Sequence, residues 1–188
     1  MEYSFRDLLG KRTLIMGDVR TGKTRLTAEL LEEAVELGFS GVITVVDMAP
    51  KTRAVEGRTI GGRLSELTKA HGKVRYLTPP RVETPRLTAT SAEELLSLAR
   101  LNVERIDPLL EDYVAAPSPV LLVNDISIYL QAGSAETILR VAGRAETFIA
   151  NGYYGGYFSQ DLGTGVSRKE RDGMDLLASQ MDIVIRRP

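Results

Sequence analysis

The 188-residue sequence has no cysteine, no tryptophan and a single histidine. Without cysteine there is no disulfide, no thiolate nucleophile and no thiolate metal site, and one histidine is too few for a zinc centre. Long hydrophobic runs are missing too: no stretch approaches the ~18 uninterrupted apolar residues of a membrane helix, so no membrane partner is expected. Neither sign of charge dominates, with 24 basic against 25 acidic residues and a net charge of -1. That balance signals no broad basic face, which speaks against nucleic acid as a partner and against a DNA-dependent motor. The opening MEYSFRDLLG carries acidic groups and lacks both a basic start and a continuous apolar run, so no signal peptide is expected and the default address is cytoplasmic.

What is present, 188 residues with 43% apolar and 26% charged residues, is long enough to bury a core, and a single domain over 1–188 is expected. Short apolar runs ending in Gly, Asp or Pro alternate with stretches of helical period, which predicts an α/β fold: a three-layer parallel sheet flanked by helices. Strands are expected at Arg12–Met16, Gly41–Val46, Val74–Leu77, Val120–Val123, Gly152–Phe158 (GYYGGYF) and Ile183–Ile185. A helix from Lys23 to Leu37 is stopped by Gly38. Ser91 with Glu94 reads as a capping box opening a helix that Asp107-Pro108 restarts or kinks, Ser134 caps another, and Ser167 with Glu170 reads as a second box. The segment from Met48 to Gly62 reads as a Gly, Arg and Pro-rich loop, followed by a short helix through Leu64 and Leu67. Pro79, Pro80 and Pro85 mark an irregular stretch.

One motif carries chemistry. Gly17-Asp18-Val19-Arg20-Thr21-Gly22-Lys23-Thr24 matches the Walker A pattern G-x-x-x-x-G-K-[ST] without departure, between a predicted strand and a predicted helix. Gly17 and Gly22 permit backbone conformations closed to other residues, so successive amides can turn inward around phosphate oxygens. The helix start adds its dipole, Lys23 adds a point charge for the terminal phosphates, and the Thr24 hydroxyl suits Mg²⁺. Arg25 follows directly. A second oxygen ligand for Mg²⁺ should come from the end of a buried strand, and Val120–Val123 followed by Asn124-Asp125 supplies Asp125 as the Walker B carboxylate. The expected ligand is a nucleoside triphosphate with Mg²⁺. ATP is preferred and GTP is the alternative, since no guanine-reading N-K-x-D motif occurs.

In the order of these features the chain resembles the RecA/KaiC-like branch of P-loop proteins. That resemblance implies a RecA-like fold, a water-polarising acid at Asp47 in VVDMAP, and a polar sensor at the tip of the strand between the two Walker strands, for which Ser159 and Gln160 are the candidates. The stretches VLLVNDISIYLQ and ASQMDIVIRRP also resemble adenosylcobinamide kinase, which implies a nucleophilic histidine that only His71 could supply. Arg20, Arg25, Arg58, Arg63, Arg168 and Arg171 are the arginines considered for a transferring phosphoryl group. The expected activity is hydrolysis or phosphoryl transfer carried by Lys23, Asp47 and Asp125. Its alternatives are a nucleotide-binding regulatory or assembly module with little turnover, and a kinase or nucleotidyltransferase resembling adenosylcobinamide kinase. An acceptor molecule or protein partner and a homo-oligomer are further expectations from the families resembled.

Overall fold

The computed structural model describes residues 3–55 and 58–188, with the backbone alone for 53–55 and 58–60. Strands β1 (Arg12–Gly17), β2 (Ile43–Asp47), β5 (Arg75–Leu77), β6 (Val120–Asn124), β7 (Thr147–Tyr153) and β8 (Ile183–Arg187) form one sheet in the order β5, β2, β6, β7, β1, β8. All its pairings are parallel. The antiparallel pair β3 (Arg53–Val55) and β4 (Arg58–Ile60) stands apart from it. The helices are α1 (Phe5–Leu8), α2 (Lys23–Glu36), α3 (Leu64–Leu67), α4 (Pro85–Thr88), α5 (Ala92–Ala115), α6 (Ile126–Leu130), α7 (Ala135–Ala142) and α8 (Val166–Ser179).

The three-layer architecture follows from the period-two alternation of side chains along the strands. Leu14, Met16, Leu121, Val123, Phe148 and Ala150 point to one face, where they meet residues of α5, α6, α7 and α8 such as Ile106, Leu110, Ile138 and Met174. Ile15, Val45, Leu122 and Ile149 point to the other, against Phe5, Leu26, Leu30 and Leu31 of α1 and α2. With apolar side chains needed on both faces, the strands read as continuous hydrophobic runs, as central parallel strands do. The strand after the glycine loop's helix does not pair with β1. Instead β7 lies between β6 and β1, separating the two Walker strands as a RecA-like layout requires. Among the described residues, no helix is long and apolar enough to cross a membrane.

Several elements depart from the expected boundaries. The strand expected at Gly152–Phe158 is displaced toward the N-terminus: Thr147–Tyr153 forms β7, and 154–158 leave the sheet. Phe148, Ile149 and Ala150 are fully buried while Gly156 and Tyr157 are exposed, so burial rather than aromatic content marks the strand. The segment taken as a loop carries β3 and β4, and the irregular proline stretch contains α4, opened by Pro85, whose fixed φ suits the first helical turn. Helix α5 runs through Pro108 without interruption, because Asn102, Ile106, Leu110 and Tyr113 anchor it on both sides of that residue. Its start is only half a capping box. Ser91 accepts from the Glu94 amide, but the Glu94 carboxylate takes its hydrogen bonds from Thr90. Helix α8 starts at Val166 behind Gly165 (φ +78°), and the expected box at Ser167 and Glu170 does not form, since both side chains turn to partners elsewhere.

Leu122 sits in the second-face core with no exposed surface. Leu122→Ala should therefore lower unfolding stability by about 2–5 kcal/mol in a urea titration; a loss below about 1 kcal/mol would mean that this strand is not central.

Candidate functional site

The site is assembled on a buried polar ladder at the carboxyl ends of the central strands. Asp47 ends β2 and lies opposite Asn124, which ends β6. Asn124 Nδ2 donates to Asp47 Oδ1 (2.8 Å) and to the Gly62 carbonyl (3.0 Å). Asn151 of β7 donates through Nδ2 to Asn124 Oδ1 and to Thr27 Oγ1 of α2, both at 2.8 Å, and its Oδ1 accepts the Asp125 amide at 3.0 Å. Each of these side chains is buried, so each unpaired atom would carry a full desolvation cost. The ladder thereby fixes three things at once: the start of α2, the Gly62 segment and the backbone of Asp125.

Asp125 turns out of β6 in the left-handed region (φ +61°), a conformation that aspartate tolerates better than most residues. Its carboxylate accepts the Ser127 hydroxyl at 2.7 Å, and Ser127 in turn accepts the Tyr153 amide. Burial pushes the Asp125 carboxyl up, opposed by Ser127 and by the charges of Lys23 and Arg86.

The glycine loop leaves β1 at Gly17 and enters α2 at Gly22, which takes φ +80°; Arg20 also has positive φ, +61°. A Cβ at Gly17 would overlap the backbone carbonyl of Arg187, so that position is closed to any side chain. The loop is held from inside and outside. The Asp18 carboxylate accepts the Val19 amide and the Gly156 amide, the Thr21 hydroxyl donates to the Asp18 carbonyl, and Arg187 Nε donates to the Thr21 carbonyl. Glycine is needed at 155 because a Cβ there would run into the Asp18 carboxylate. The Lys23 ammonium donates to the Asp18 carbonyl at 2.5 Å, and burial lowers its pKa against the opposing pull of Asp125 and Asp18. The α2 N-terminus has no side-chain cap, so its first amides stay available to an anion.

Above this loop lies a cavity of about 430 Å³. Val19 to Arg25 form its floor, and Asp125 and Asn151 lie beside them. Pro50, Gly61 and Gly62 form one wall; Thr84 to Leu87 with Tyr153, Tyr157 and Phe158 form another. Thr24 and Asp125, expected as the Mg²⁺ pair, line the same cavity. An ion that keeps several waters and uses one or two protein oxygens fits that donor set. No cluster of three or more His, Asp or Glu able to hold a metal by itself occurs among the described residues.

Other expected residues are placed elsewhere. Asp47 has no exposed surface, and its carboxylate accepts from the Tyr76 hydroxyl (2.6 Å), the Leu64 amide (2.7 Å), Asn124 and the Ala49 amide. Burial raises its pKa against those bonds. It does not line the cavity. Ser159 and Gln160 are exposed beyond the end of β7 and do not line the cavity either; the polar residue between the Walker strands is Asn151. His71 lies in the 3-10 turn Lys69–Lys73, its Nδ1 2.7 Å from the Thr68 carbonyl and its ring edge-on to Tyr76, away from the cavity wall. Of the arginines considered, Arg63 is buried and spent on the carbonyls of Ala49 and Pro79. Arg168 pairs with Asp172, and Arg171 stacks on Tyr154 and donates to the Gly155 carbonyl. The side chain of Arg58 lies outside the described residues. Arg20 and Arg25 line the cavity at exposed positions.

The sequence reading missed Arg86. It lines the cavity and forms a buried ion pair with Glu170, Nη2 lying 2.8 Å from both carboxylate oxygens. No motif marks it. Gln131 Nε2 also donates to Glu170.

No family model matches this chain, and no curated protein matches it. The solved structure of flagellar accessory protein FlaH from Methanocaldococcus jannaschii matches it with a TM-score of 0.52 at 12% identity, over 95% of this chain and 71% of that one. At that identity the likeness shows the fold alone, the α/β three-layer parallel sheet of RecA-like type. The resemblance to adenosylcobinamide kinase gains no support from it.

Burial, reinforced by the Asp125 charge, pushes the Glu170 carboxyl from 4.5 up to about 7, with Arg86 and Gln131 opposing. The native state then holds this proton more tightly than the unfolded chain does. Its contribution is fully present below pH 4.5 and is lost as pH rises through about 7. Raising the pH from 5 to 8 should lower wild-type stability relative to Glu170→Gln by up to ~3 kcal/mol in chemical denaturation; a pH-independent difference would contradict this.

Proposed function

We propose that the chain binds a nucleoside triphosphate with Mg²⁺, the phosphates lying in the Gly17–Thr24 loop, and turns it over by hydrolysis or by phosphoryl transfer to an acceptor. The observation that carries this reading is the shared cavity. The loop with its uncapped helix start, Lys23, Thr24 and Asp125 all face one space of about 430 Å³, within the usual range for a small-molecule site. Thr24 and Asp125 would hold the metal ion, which when bound supplies charge neutralisation between the terminal phosphates. Lys23 would exchange the Asp18 carbonyl for phosphate oxygens, a move of its flexible stem that keeps its hydrogen bonding satisfied. ATP remains the preferred nucleotide, because no base-reading motif for guanine accompanies the loop.

Asp47 enters this reading as a positioning residue. A carboxylate that already accepts four hydrogen bonds and has no exposed surface cannot orient a water. Its work is to hold Asn124, and through it Asp125 and Gly62. This same observation favours a second reading, a nucleotide-binding regulatory or assembly module with slow turnover, since among the described residues Asp125 is the only carboxylate lining the cavity.

Calorimetry with ATP and ADP, together with phosphate release, tests both readings. Lys23→Ala should weaken triphosphate binding by about 10–100-fold, the worth of charged hydrogen bonds to phosphate. Unchanged affinity would remove the nucleotide site altogether. Turnover well above about 10⁻³ s⁻¹ favours the enzyme, and a rate at or below it, the range of an unassisted nucleotide switch, favours the module.

A further inference from the structure

We infer that Arg86 binds the terminal phosphate of the nucleotide together with Lys23, so that one chain supplies two cations, from two different elements, to the same phosphoryl group. The inference rests on the nucleoside triphosphate reading above. Lys23 reaches the cavity from its floor, and Arg86 reaches it from the α4 wall. Asp125, the expected metal ligand, lines the same cavity as both cations.

The guanidinium is held rigidly. Nη2 bonds both Glu170 oxygens, Nη1 donates to the Phe158 carbonyl and the Ser167 hydroxyl at 3.2 Å, and the group lies over the rings of Phe158 and Tyr153 at 5.0 and 5.5 Å. Among the described residues its Nε–H has no partner. Four separate elements thus converge to fix one cation at a cavity wall: α4, the 153–158 segment, α8 and, through Gln131, the end of α6. Stability alone does not call for this arrangement, because an apolar pair of similar volume would serve as well without the cost of burying two charges. A preorganised charge facing a polyphosphate has a use for that cost, since it needs no reorganisation when the ligand arrives.

The other arginines are poorer candidates. Arg63 does not line the cavity, Arg168 and Arg171 bond outside it, and Arg20 and Arg25 are exposed side chains on the loop's own rim. Glu170 is then the residue that aims Arg86, and it partly offsets its charge.

The test compares affinities for Mg·ADP and for the Mg complex of a β,γ-imido analogue of ATP. Replacing the ion pair as a unit, in the double variant Arg86→Met with Glu170→Gln, leaves no buried charge unpaired. It should weaken the triphosphate analogue about tenfold while ADP stays within about twofold. Glu170→Gln alone keeps the guanidinium and drops its counter-charge, so analogue affinity relative to ADP should rise, a direction that a merely structural ion pair would not produce. If the double variant proves unfolded in a urea melt, Arg86→Lys replaces it, with a severalfold loss of triphosphate preference expected from the lost fork geometry. Equal losses for both nucleotides, or none, would overturn the assignment. Wild type binding ADP in a Lys23-dependent way, with a triphosphate preference indifferent to Arg86, defeats this inference alone; wild type binding neither nucleotide defeats the underlying reading as well.

Discussion

The arrangement of the site depends on one chain of buried hydrogen bonds, running from Asp47 through Asn124 and Asn151 to Thr27. Parallel strands end at their carboxyl edge in unpaired polar backbone, and loops leaving that edge have many ways to go. Here four side chains from β2, β6, β7 and α2 tie the edge together in a low-dielectric interior, where a satisfied network is rigid and a broken one is costly. The first amides of α2, the left-handed Asp125 and the Gly62 carbonyl all take their places from it. The network also accounts for the polar residues found in the most apolar part of the sheet. An apolar side chain at position 124 or 151 would strand its neighbours' donors and acceptors.

Around this ladder the cavity is closed by segments that the sheet itself does not build. The aromatic stretch after β7 folds back against the glycine loop and is held there by the hydrogen bond from the Gly156 amide to Asp18 and by the absence of a side chain at 155. Helix α4 is brought against this same stretch by the ion pair between Arg86 and Glu170, which joins residues 84 positions apart in sequence, and by the bond of Arg86 to the Phe158 carbonyl. Floor and walls therefore come from five separate stretches of chain. The parallel sheet and its glycine loop supply the floor, and the other stretches supply what faces it.

Much of this was legible in the residues. The glycine loop, the two strand-and-carboxylate signals and the alternation of strands with helices follow from local rules: positive φ at glycine, a continuous apolar run for a doubly covered strand, and a helical period after it. Those rules also misled in places. GYYGGYF has the composition of a strand, yet the strand is the preceding TFIANGY, because burial on both faces, and not aromatic content, selects the segment that enters the sheet. Asp47 occupies the position where a water-polarising acid is expected, but its neighbours consume every lone pair. That outcome turns on Tyr76, Leu64 and Asn124, which lie 17 to 77 residues away.

The sequence by itself determined the class of the fold and the glycine loop between β1 and α2, since both arise from periodicity and from backbone conformations set by nearest neighbours. Tertiary structure decided which polar groups meet. Arg86, Glu170, Asn124 and Asn151 carry no local signature, and their roles arise only when distant segments bury them together. A buried charge or amide must find its partner wherever the fold supplies one, and that choice is not written in the residues on either side of it.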